Sequence, residues 1–213
     1  MVSYIRPMIP IGHSFDMELF TMLLSMLLFV GMSMLIGATL VKVIRTKGET
    51  ANMPLTLTIA AIVSLLLFAR FGLSVTAIQG IFLMFVLLYA SISDIHYHIV
   101  DDYIWVIVFA LALLNVEKIG MTSMVVGALC VFVPQMAMAL LPPHKTLGGA
   151  DIKLSTALAF LLGGWKGICA YLLGLIIAVV FMCIYNKVTK QTEKKPFALV
   201  PFLSVGAMIM FLI

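Results

Sequence analysis

Two carboxylates stand out in a chain that carries few charges. Asp94 lies in YASISDIHYHIVDD (89–102) and Asp151 in LGGADIKL (147–154), each next to a long apolar run. Two carboxylates brought together cannot both ionise easily, so they share a proton and can activate a water for attack on a peptide carbonyl. Small neighbours permit such a meeting: Gly148 and Gly149 ahead of Asp151, and Ala90, Ser91 and Ser93 around Asp94. The bland alternative is that both are interfacial anchors, with Asp151 capping the helix that follows its glycines. Their matching depth in the orientation that the basic residues set argues for the dyad.

The elements that must position them are helices in a membrane. The 213 residues are 63% hydrophobic and 10% charged, with mean hydropathy +1.20. A soluble domain carries about a quarter charged residues. The net charge of +4 fits cytoplasmic anchoring and gives no reason to expect nucleic-acid binding. Cys130, Cys169 and Cys183 are scattered through apolar runs without metal-type spacing and read as small buried hydrophobes. Apolar runs cut by polar punctuation give eight spans, at 17–42, 55–72, 75–93, 102–115, 120–141, 152–164, 166–186 and 197–213. The fourth and sixth are short and must borrow a polar first turn, Asp101–Tyr103 and Gly149–Asp151. The fold class is therefore an all-α membrane protein, a polytopic bundle of about eight transmembrane helices. It divides into 1–54, an N-terminal segment with the first helix and a short loop, and a core at 55–213.

Charge orients the bundle. One face collects nine basic residues, Lys42, Arg45, Lys47, Lys145, Lys153, Lys187, Lys190, Lys194 and Lys195, and the other four, Arg6, Arg70, Lys118 and Lys166. The positive-inside rule puts the richer face in the cytoplasm and both termini outside. Asp94 then falls at the cytoplasmic end of the third span and Asp151 at the cytoplasmic start of the sixth. A helix N-terminus favours the Asp151 anion and a C-terminus the neutral Asp94, so Asp151 is expected to ionise first and act as base.

Three segments resemble one family. LGGADIKL is similar to the GxGD-Ile/Val-Lys-Leu signature of the type 4 prepilin peptidases, aspartic proteases of prokaryotic membranes. SISDIHYHIVDD resembles their other catalytic segment, and KKPFALVPFLSVGAMI (194–209) their late Pro-Phe-x-x-x-Pro-Phe-Leu segment. The order is the family's, from about residue 75 to the last residue. The resemblance implies Asp94 and Asp151 as the catalytic pair, Gly148, Gly149, Ala150 and Lys153 as a supporting loop, and no metal or other cofactor. It further implies a cell-membrane enzyme with its active site near the cytoplasmic face. Its substrate would be a prepilin-like protein with an N-terminal transmembrane helix, cut after a short basic leader. His96, His98, Asp101, Pro196, Phe197 and Pro201 are then candidate substrate or turn contacts.

Departures from the pattern are Ala150 in place of the second glycine, Val100-Asp101 in place of Pro-Asn, and histidines at 96 and 98 in usually more basic positions. Lys153, two residues past Asp151, is expected off its helix face, where it meets lipid headgroups or tunes the dyad. Residues 29–45 are faintly similar to the first helix of the long, bifunctional members. The loop 46–54 has nine residues and the chain no CxxC pair, so the zinc-binding methyltransferase insertion of those members is not expected. Asp101, Asp102, Glu49 and Glu193 are candidate attractors of a basic leader or plain solvated charges. Two other readings stay open at this point: a presenilin-like intramembrane protease, and a non-enzymatic transporter or secretion-assembly component in which the aspartates bind a proton or cation.

Overall fold

A computed structural model describes residues 11–46, 52–140, 148–189 and 197–213, with side chains over 17–46, 52–140, 148–188 and 197–213. These residues form helices and no strand: α1 (Ile11–Thr46), α2 (Met53–Phe71), α3 (Val75–Tyr97), α4 (Asp102–Leu113), α5 (Val116–Ile119), α6 (Met121–Leu140), α7 (Gly149–Leu162), α8 (Gly164–Thr189) and α9 (Val200–Leu212). The all-α class holds. Among the described residues five helices, α1, α2, α3, α6 and α8, are long and apolar enough to cross a membrane. The fourth, sixth and eighth expected spans are α4, α7 and α9, of 12, 14 and 13 residues. At 1.5 Å per residue they reach roughly 18–21 Å, short of a hydrocarbon core of about 30 Å.

Local chemistry sets the ends. Pro54 opens α2 and Pro201 opens α9, where a missing N–H costs no helical bond. The Ser74 side chain caps α3 by accepting from the Ala77 N–H at 3.2 Å. Gly163, at φ +78, turns the chain between α7 and α8 in a conformation that disfavours any side chain. As expected, α4 and α7 borrow polar first turns, beginning at Asp102 and Gly149.

α3 and α7 form the centre. Leu83, Leu87 and Ala90 of α3 pack in one apolar cluster with Ile104 and Val108 of α4, Leu154 and Leu161 of α7 and Val200 of α9. α9 lies tightly on α8: a Cβ on Gly206 would sit 2.5 Å from the Ala170 carbonyl oxygen, so only glycine permits this approach. Buried polar side chains tie neighbours together. Gln79 of α3 donates to the Leu111 carbonyl at 2.8 Å, and the Gln135 amide of α6 meets the Ser155 hydroxyl of α7 at 2.8 Å. Cys130 and Cys183 correct the expectation of burial, for both are exposed on outward faces of α6 and α8, as lipid-facing residues can be.

The ends of the bundle are chemically distinct. Lys118 reaches Thr76 at one end, where Arg70 also donates to the Leu212 carbonyl at 3.1 Å. The end of α3 and the starts of α4, α7 and α9 gather at the other, where Lys153 pairs with Asp102 and Val200 meets Asp94.

Candidate active site

Asp94 lies one turn before the end of α3 and is 7% exposed. Its Oδ2 accepts a hydrogen bond from the Val200 N–H at 3.0 Å, and the Leu199 N–H faces the same carboxyl. These are groups at the start of α9. In that first turn Pro201 has no N–H, while the Phe202 and Leu203 N–H groups both bond the Leu199 carbonyl, at 3.1 and 3.2 Å. The Val200 N–H is therefore an orphan helix-start donor, and Asp94 takes it.

Asp151 is the third residue of α7, outside the five helices able to cross a membrane. Gly148 rather than Asp151 is the residue flanking the helix start, which corrects the capping expectation. Gly149, Ala150 and Lys153 are likewise helical residues, not a loop. The Asp151 carboxylate folds back over its own helix start, and a Cβ on Gly148 would lie 3.0 Å from Oδ2. Gly149 has nothing within 4 Å of the equivalent position. So Gly148 makes room for the carboxylate, whereas Gly149 has no such duty.

The two carboxyls feel each other. Burial first, and then the negative charge of Asp94, push the Asp151 carboxyl up to about 6. Desolvation and the partner's charge thus oppose the helix start that favours the Asp151 anion. Beside Asp94, α9 presents a helix start to a residue that its own helix carries near a C-terminus.

The other candidates divide. Lys153 Nζ pairs with Asp102 Oδ1 at 2.6 Å, an exposed ion pair that joins the start of α4 to α7. Asp101 flanks the start of α4 and accepts from the Tyr89 hydroxyl at 3.2 Å. His98 ends α3 in the left-handed region, at φ 51, within electrostatic reach of Asp94. His96 is exposed, with Nδ1 2.9 Å from the Ile92 carbonyl oxygen of its own helix. Phe197 stacks on Phe202 at 5.2 Å, and Phe202 meets Phe181 of α8 in a tilted contact at 5.1 Å, a ladder that ties the approach to α9 onto α8. Pro196, Glu49, Glu193, Arg6, Lys47, Lys145, Lys190, Lys194 and Lys195 lie outside the described residues. Among the described residues no three His, Cys, Asp or Glu side chains are grouped as a metal ion would need.

Two features went unread in the sequence. The Val200 N–H is invisible there because it is backbone, although the proline after it marks a helix start. Tyr171 of α8 faces Asp151, and with Ser155, Leu158 and Leu203 it lines a cavity of about 10 Å³ between α7, α8 and α9. That volume is about what one water requires. The arrangement as a whole can hold one proton on two carboxyls beside a backbone donor.

Residues 81–185 match the model of the type IV leader peptidase family, a stretch that contains Asp94 and Asp151 and stops before the 194–209 segment. No curated protein and no solved structure matches the chain.

Proposed function

Residues 81–185 make this multi-pass membrane protein a member of the type IV leader peptidase family, and from that premise we propose that it is an aspartic endopeptidase with Asp94 and Asp151 as its catalytic pair. Its substrate is a prepilin-like precursor, cut after a short basic leader at the cytoplasmic face of a prokaryotic cell membrane. The observation that carries the reading is the convergence of two aspartates from distant segments, one raising the other's hold on its proton.

The chemistry follows from which carboxyl keeps that proton. Asp94, clasped by the Val200 N–H, takes a proton from a water as that water attacks the scissile carbonyl. Protonated Asp151 hydrogen-bonds the carbonyl oxygen and stabilises the tetrahedral intermediate as charge develops there. Collapse of the intermediate passes a proton to the leaving amine and returns the dyad to its singly protonated form. No metal is required. With no CxxC pair in the chain, any methylation of the new N-terminus falls to another protein.

The test is cleavage, in membranes, of a precursor with a basic leader ahead of an apolar helix. Asp94→Asn and Asp151→Asn should each abolish processing at unchanged protein level. Glu117→Gln, an exposed change on α5 at the opposite end, should process normally. Processing that survives loss of either aspartate would sink the dyad and favour the transporter or assembly reading.

A further inference from the structure

We propose that residues 98–101, between α3 and α4, form a strand-like edge where the precursor's unwound backbone pairs with the Val100 N–H and carbonyl and lies across both aspartates. The catalytic meaning of this edge rests on the proposed function; its geometry does not. The segment begins at the site, where the His98 N–H bonds the Asp94 carbonyl at 3.0 Å. It then doubles back along α3: Ser93 Oγ donates to the Ile99 carbonyl at 2.9 Å, and the Tyr89 hydroxyl to Asp101 Oδ2 at 3.2 Å. Ser93 and Tyr89 are four residues apart, about 6 Å of helical rise. Ile99 and Asp101 are two apart, so the segment covers about 3 Å per residue, as an extended strand does. Its side chains alternate accordingly: Ile99 is exposed while Val100 packs on the core. It ends at the start of α4, where Asp102 pairs with Lys153, two residues past Asp151. One rim of the site, from Asp94 towards Asp151, is thus a short extended chain.

The backbone of that rim is unpaired on its open side. An extended chain points the N–H and C=O of successive residues to opposite sides. Ile99 turns its carbonyl to Ser93 on α3, so Val100 turns both of its groups away from α3. Among the described residues no hydrogen bond uses the Val100 N–H or carbonyl. The precursor brings the complementary need. Its scissile peptide bond must leave any helix to be attacked, and unwound backbone beside lipid has costly unpaired N–H and C=O groups. Adding a strand to the Val100 edge supplies partners for one residue's pair of groups without reading a side chain. Charge agrees, since Asp94, Asp101 and Asp102 border the segment and outnumber Lys153, a margin suited to a basic leader. The pattern that this segment resembles has proline where Val100 stands. Proline there would keep the carbonyl and remove the N–H, which makes it the informative substitution.

The experiment uses the full-length protein in detergent micelles. The probe is a synthetic peptide with a basic leader, the cleavage site and the first turns of an apolar helix. Hydrogen exchange of the Val100 amide is followed by mass spectrometry with residue-level fragmentation, with and without peptide, in wild type and in Asp151→Asn. Peptide should slow that exchange about tenfold or more in both proteins. In the cleavage assay Val100→Pro should raise KM about two- to tenfold, the worth of one hydrogen bond, at an unchanged melting temperature. The loss should fall on KM rather than kcat, as for a contact made before the chemical step. Val100→Ala keeps the N–H and should raise KM less. Exchange that stays unchanged as peptide is added overturns the inference, as does a KM no higher in Val100→Pro than in Val100→Ala. If wild type cleaves the peptide without protecting Val100, the proposed function stands and this edge is not where the substrate lies. If Val100 is protected and nothing is cleaved, the proposed function fails and the peptide edge stands.

Discussion

The pH dependence of cleavage separates the possible roles of the two aspartates. Asp151 holds its proton up to about 6, against an ordinary value of 3.8, with burial the larger cause and the Asp94 charge the second. If the active form is the singly protonated dyad, activity is lost as that proton leaves. The protonated fraction is about one half at pH 6, about 9% at pH 7 and about 1% at pH 8. The free-enzyme quantity kcat/KM should then fall about fivefold from pH 6 to 7 and about tenfold from 7 to 8. Stability moves in the same window. A carboxyl whose folded pKa lies above its unfolded value favours the folded state only while protonated, so its contribution fades as pH rises from 3.8 to about 6.

Asp94→Asn cannot be followed by cleavage, but Asp151 can be followed by carbodiimide labelling, which needs the protonated acid. In wild type the labelling midpoint should lie near 6. Removing the Asp94 charge should lower it only part of the way towards 3.8, because burial remains and is the larger cause. A coupled pair titrates jointly, so the wild-type midpoint belongs to the dyad and the variant midpoint to Asp151 alone. A kcat/KM that rises through pH 6 would refute the assignment and return the role of base to Asp151. An Asp151 midpoint unmoved in Asp94→Asn would mean that the carboxyls do not interact at all.

Two further predictions concern glycines that look alike in sequence. Gly148→Ala puts a methyl 3.0 Å from Asp151 Oδ2 and should cut kcat about tenfold or more by displacing the carboxylate, whereas Gly149→Ala meets nothing and should leave the rate within about twofold, both measured in the cleavage assay. Gly206→Ala drives its Cβ against the Ala170 carbonyl and should destabilise the protein by about 1–3 kcal/mol in a thermal melt. Gly31→Ala on α1, with open space around it, should be neutral or stabilise slightly; a Gly206 variant as stable as this one would contradict the tight seating of α9 on α8.

What was legible in the sequence is what depends on near neighbours. Apolar runs mark the helices, and Asp101–Tyr103 and Gly149–Asp151 read as first turns because caps and glycines act within a few residues. What was not legible depends on another helix. The spacing of Lys153 from Asp151 says nothing of Asp102, which arrives from α4. The helix-end rule weighs each aspartate by its own helix alone, and so misses the burial and mutual charge on Asp151 and the start of α9 beside Asp94. The late Pro-Phe segment could be noticed, but its use is a backbone N–H that exists only once α9 has folded against α3.

The short helices make sense of the acids. α4, α7 and α9 are too short to cross a membrane as the others can, and all three begin at the end where Asp94 and Asp151 lie. Each helix start offers unpaired N–H groups and the positive end of a dipole. Asp94 takes the start of α9, Asp151 folds over the start of α7, and Asp101 flanks the start of α4. Partial charges of this kind moderate an acidic site without neutralising it. A lysine against the pair would do more: it would favour two carboxylates and strip the shared proton on which the chemistry depends. Lys153, the cation nearest to Asp151 in the chain, is instead held by Asp102. Diverting that charge leaves burial and the Asp94 carboxylate as the dominant influences on Asp151, and so lets one proton stay on the pair.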